Sequence, residues 1–131
     1  MSIQIEISVG ELLDKITILQ IKSERITDGE KLNNVKKELQ VLQGQWELSV
    51  YIKINLDSSV DALKKVNEKL WDIEDQIRDK ESQKQFDEKF IELARAVYFT
   101  NDERAKIKRN INKITGSDLV EEKSYSDYSS E

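Results

Sequence analysis

Apolar residues recur at three- and four-residue steps along most of the chain. Leu12, Ile16, Leu19, Ser23 and Ile26 share one helical face, and Leu13, Ile18 and Ile21 widen it, so a first helix is expected to be buried on more than one side. Leu32, Val35, Leu39, Leu42 and Trp46 give a second seam, and Leu63, Val66, Leu70, Ile73 and Ile77 a third. Phe86, Phe90, Leu93 and Val97 carry a fourth, and Ile107, Ile111 and Ile114 a fifth. Each seam is shorter than the heptad run of a free-standing coiled coil. The pattern therefore predicts an all-α fold, a compact antiparallel bundle of four to five helices.

Local signals divide these helices. Ser8 and Glu11 form a capping-box pattern at the start of the first, and Thr27 or Asp28 is placed to cap the second. Asp57, Ser58 or Ser59 is placed to cap the third, and Gly116 sits where a left-handed stop is expected. The opening "IQIEIS" alternates and reads either as a short strand or as an extended arm lying on the helices. As a strand it could pair with "VYIKINL" (Val50 to Leu56), which also alternates, or with another chain.

The stretch "TNDE" (Thr100 to Glu103) reads as a further capping box, which favours a junction between the fourth and fifth helices. Against this, Phe90, Leu93, Val97, Thr100, Arg104, Ile107, Ile111 and Ile114 alternate in threes and fours without a break. Residues 1–125 are expected to form a single helical domain and 126–131 a disordered acidic tail.

Composition narrows the chemistry. The chain of 131 residues has no histidine and no cysteine, which excludes an imidazole base, a thiolate nucleophile and the usual zinc sites. No carboxylate run resembles a calcium loop, so neither metal nor cofactor is expected. No apolar run is long enough to span a bilayer, and a cytoplasmic location without membrane association is the expectation. The net charge of -5 opposes nucleic acid as a partner, although Arg104, Lys106, Lys108, Arg109 and Lys113 outnumber Asp102 and Glu103 locally.

The candidate chemistry lies around that basic stretch. If the helix runs through "TNDE", Arg104 points into the bundle, where a charge needs a carboxylate or an anionic ligand. Arg95, Arg104 and Lys108, with Tyr98 and Asn101, are the candidate clamp for a phosphate or carboxylate. Trp71 is a candidate wall at the rim of the core. Glu74 or Asp75 is the candidate carboxylate for Arg104 or Arg95, and Lys15 and Lys22 either converge on the same pocket or face water.

"SVGELLDKITILQIKSERI", "VNEKLWDIEDQIRDKE", "FIELARAVYFTNDERAKIKRNIN" and "GSDLVEEKSY" together resemble a family of small bacterial proteins catalogued only as a domain of unknown function. That resemblance implies a helical fold and no particular activity. The first helix is also similar to that of the all-helical chorismate mutases, but "ELLDKITILQIKSER" lacks the early arginine of their pattern. Two functional readings follow. The favoured one is a non-enzymatic helical interaction module with a second copy or another protein as partner. The alternative is a protein or enzyme that binds a small anion around Arg95, Arg104 and Lys108.

Overall fold

The computed structural model describes residues 1–124 and contains four α-helices: α1 (Val9–Arg25), α2 (Gly29–Glu47), α3 (Asp57–Ser82) and α4 (Glu88–Thr115). A one-turn 3-10 helix spans Val50–Lys53. No strand occurs among the described residues, and the tail expected at 126–131 lies outside them.

The first helix, α1, begins where the Ser8 hydroxyl accepts the Glu11 amide at 3.1 Å, so the serine half of the expected capping box forms. Glu11 does not complete it, because its carboxylate accepts instead from Lys108 at 2.6 Å. α1 packs against α2, α3 and α4, which explains why its apolar residues spread beyond one stripe. Val9, Leu13 and Ile16 join Leu56, Leu63 and Ile111 in the principal core cluster. Burying each such side chain contributes about 1.5 to 3 kcal/mol.

The second helix, α2, starts on Asp28, whose carboxylate accepts the Lys31 amide at 3.0 Å. Its only substantial helical neighbour is α1. Consequently Val35 alone is buried, and Leu32, Leu39, Leu42 and Trp46 stay half-buried. The segment after it is not the strand that its alternation suggested. With no partner strand present, the backbone closes on itself, the Ile54 amide donating to the Tyr51 carbonyl at 3.0 Å. The amino-terminal residues form neither strand nor helix, and as an arm they do not lie on the helices as expected: Ile3 is 90% exposed and Ile5 72%.

The start of α3 also differs from expectation. None of Asp57, Ser58 or Ser59 caps it; Leu56 holds the cap position, drawn into the core, and Asn55 Oδ1 accepts the Asp57 amide at 3.1 Å. Asp57 still lies in the first turn, where the helix dipole favours a negative charge.

The fourth and fifth seams prove to be one helix. α4 runs without a break through "TNDE", so the expected junction does not exist. Thr100 is buried in the middle of that stretch. Packing along the whole Leu93 to Ile111 face outweighs the local gain from a cap. Gly116 ends α4 in the left-handed conformation at φ 67°, as its position suggested, and its amide donates to the Asn112 carbonyl. Among the described residues, no helix is long and apolar enough to cross a membrane.

Candidate functional site

Because α1 is enclosed by three helices, a charged residue on its inner face must find its partners inside the protein. Asp14 is that residue, with no solvent exposure. Arg104 reaches it from α4 as a two-pronged donor, Nε to Oδ1 at 3.0 Å and Nη2 to Oδ2 at 2.5 Å. From α3, Asn67 Nδ2 donates to Asp14 Oδ1 at 2.9 Å and to Thr17 Oγ1 at 3.0 Å. Thr17 in turn donates to the Asp14 backbone carbonyl at 2.8 Å. The carboxylate thus ties α1, α3 and α4 together, and no buried side-chain nitrogen or oxygen among the described residues lacks a partner.

A second cation lies one turn further along α4. Lys108 is buried, and its ammonium donates to Glu11 at 2.6 Å and to Glu121 at 3.2 Å, with Asp14 Oδ2 at 3.7 Å. Close helix approach makes this geometry possible: a methyl group at Gly10 would meet the Lys108 carbonyl oxygen at 2.6 Å. The Gly10 amide donates instead to Asn112 Oδ1 at 2.7 Å.

The electrostatics follow from these contacts. Burial opposes the Asp14 carboxylate most strongly, but hydrogen bonds from Arg104 and Asn67, with the charges of Arg104 and Lys108, overcome it and hold its pKa below the ordinary value. The hydrogen bond to Asp14 raises that of Arg104. Burial works against the Lys108 ammonium, yet the bond to Glu11 and the charges of Asp14 and Glu11 leave its pKa raised. Each group is therefore fixed in its charged form near neutral pH.

The candidate residues named from sequence separate into groups. Arg104 and Lys108 converge on Asp14, and Asn101 joins them by accepting from Arg104 Nη1 at 3.3 Å. Arg95 does not line the clefts around them; its guanidinium lies 5.6 Å from the Phe99 ring centre. Tyr98 is exposed beside Phe99, with ring centres 5.4 Å apart. Lys15 is exposed and lies 3.7 Å from Glu11. The carboxylate of Arg104 is Asp14, where Glu74 or Asp75 was expected; Glu74 pairs with Arg78 at 3.2 Å. Trp71 is half-buried and carries Arg25 at 5.8 Å from its ring.

Two clefts flank Arg104. One, of about 460 Å³, is bordered by Glu11, Lys108 and the segment from Glu121 to Ser124. The other, of about 490 Å³, lies between α1, α3 and α4 and gathers Lys22, Trp71, Glu74, Asp75 and Asn101 around Arg104. Sequence reasoning missed Asp14, Asn67 and Thr17. A signal existed: Gly10, Asp14, Thr17 and Ile21 are spaced four, three and four along a helix expected to be buried on several sides.

Among the described residues, no group of three or more carboxylates is placed to hold a metal ion. The model of a family of unknown function, DUF6165, matches residues 3–131, and the chain belongs to that family. No curated protein and no solved structure matches the chain.

Proposed function

We propose that the protein is a non-enzymatic helical interaction module that pairs with a second copy of itself. The observation that carries this reading is apolar surface left uncovered next to an unfilled groove with an apolar wall and a polar rim. Ile3 and Ile5 stand out on the extended arm, and Leu48 and Val50 are 89% and 79% exposed at the end of α2. Beside that corner, Leu13, Ile16, Trp46, Ile52, Leu56 and Val60 form the apolar wall of a groove of about 470 Å³ whose rim carries Gln43, Glu47, Asp57 and Asp61. Single exposed apolar residues are ordinary, whereas an alternating arm with unpaired backbone groups is a ready template for another chain. A two-fold pairing would let each arm cover apolar surface on the other copy, which makes the interface self-complementary.

The small-anion reading through Arg95, Arg104 and Lys108 draws less support. Two of the three cations already meet Asp14, Glu11 and Glu121, and the third lies over Phe99. An incoming anion would have to displace three carboxylates. Light scattering across a concentration series, for the protein and for an Ile3→Asp, Ile5→Asp variant, tests the pairing. A dimer that dissociates on dilution and is weakened in the variant is expected. A monomer at every concentration contradicts the proposal.

A further inference from the structure

The cleft between α1, α3 and α4 holds hydrogen-bonding capacity that the fold does not use. Orientation of its amides is fixed by what each can meet. Asn67 must turn its nitrogen to Asp14, because a carboxylate only accepts, and Thr17 takes the second amide hydrogen. Among the described residues its carbonyl oxygen then has no partner although the residue is only 6% exposed; since no fully buried polar atom there is unpartnered, that oxygen is not sealed off, and Asn67 lines the cleft.

Asn101 is fixed in the opposite sense. It must turn its oxygen to Arg104, which only donates, so its amino group remains available. Arg104 has five N–H donors, of which one on Nε, one on Nη2 and one on Nη1 are engaged, leaving two. Lys22, half-buried at the cleft, makes no hydrogen bond or ion pair among the described residues.

Donors and acceptors are accompanied by opposite charges that cancel. Lys22, Arg104 and Arg78 balance Asp14, Glu74 and Asp75. Neutrality disfavours phosphate, which would bring up to two charges that nothing in the cleft compensates. It suits a ligand carrying one charge of each sign. Ile18, Ile21, Leu70 and the Trp71 ring add an apolar wall, and the volume of about 490 Å³ falls in the range of small-molecule sites.

We infer that this cleft is a binding site for a small zwitterion with an apolar body, of the kind presented by a free hydrophobic or aromatic α-amino acid. Its carboxylate is taken by Lys22, Asn101 and the two remaining donors of Arg104. Its ammonium goes to the Asn67 carbonyl and to the acidic rim of Glu74 and Asp75. The site lies away from the proposed pairing groove and does not depend on it.

Thermal unfolding titrated with L-tryptophan, L-phenylalanine and L-leucine tests this, beside tryptamine, indole-3-propionate and inorganic phosphate. A saturable rise in Tm with at least one amino acid is expected. The amine-only and acid-only probes should bind at least about tenfold more weakly, since each loses charged hydrogen bonds worth more than a tenfold change in affinity. Lys22→Met should abolish the shift while leaving unfolding of the free protein nearly unchanged, because Lys22 makes no hydrogen bond or ion pair among the described residues. The inference is overturned if no amino acid shifts Tm, if the acid-only probe or phosphate matches the amino acid, or if Lys22→Met binds as well as the parent.

Discussion

The two clefts that flank Arg104 share one guanidinium and differ in what surrounds it. On one side, Lys108 is buried with Glu11, Asp14 and Glu121 around its ammonium. On the other, Lys22 is unpaired among the described residues and Asn67 and Asn101 each keep an unused polar group. The first cleft contains the more deeply buried cation and the less available one. A basic residue in a sequence therefore marks a binding site only where its own chain leaves it unsatisfied. Burial within a protein tends to mean the opposite, since a buried charge without a partner is too costly to keep.

The strongest way to break this contrast is to remove the shared anchor. Asp14→Ala leaves Arg104 and Lys108 short of a buried counter-charge, and urea denaturation should show a loss of about 3 to 5 kcal/mol. Replacing both members of the pair with apolar residues, Asp14→Leu with Arg104→Met, should recover much of that loss, because the charge left there, Lys108, keeps Glu11 and Glu121. Next in size is Gly10→Ala, which drives a methyl group into the Lys108 carbonyl. The helices must separate there, and the same denaturation experiment should show a loss of about 1 to 3 kcal/mol.

A pH series sharpens the comparison from the electrostatic side. The lowered pKa of Asp14 means that its stabilisation is fully present above the ordinary aspartate value of about 3.9 and is lost as pH falls through its folded value. The raised pKa of Lys108 works the other way, its contribution being complete below about 10.4 and lost as pH rises through the folded value. Stability measured against pH should fall at both ends, and Asp14→Ala should flatten the acid limb. The smallest effect belongs to the second cleft: Lys22→Met should change stability by no more than about 0.5 kcal/mol. A large loss would mean that Lys22 has a structural partner.

Much of the fold was legible because its signals are periodic. The breadth of apolar residues on α1 anticipated its central position, and Ser8, Asp28 and Gly116 each act where their chemistry suggested. At "TNDE" two signals competed, a local cap against an unbroken seam, and the seam prevailed because it buries Thr100 and Leu93 along with Ile111 on one continuous helix. The strand reading of Val50 to Leu56 failed for lack of a partner, which alternation cannot reveal.

The site was legible by half. Arg104 in an apolar phase pointed to a cation that needs a carboxylate, and the half-buried guanidinium meets Asp14, but that carboxylate was sought on α3, at Glu74 or Asp75. Asp14 looked unremarkable beside Lys15, since local context says nothing of how fully α1 is enclosed. Asn67 carries no signal of its own in the sequence, and its meaning comes from Asp14. Pairings between residues 53 and 90 positions apart depend on helix packing.

A double-mutant cycle between Asp14 and Arg104, read by chemical denaturation, tests most directly the claim that these charges hold the fold. The account predicts that each single substitution is strongly destabilising and that the pair couples by about 1 to 3 kcal/mol. Additive effects with no coupling, in variants that remain folded, would contradict it.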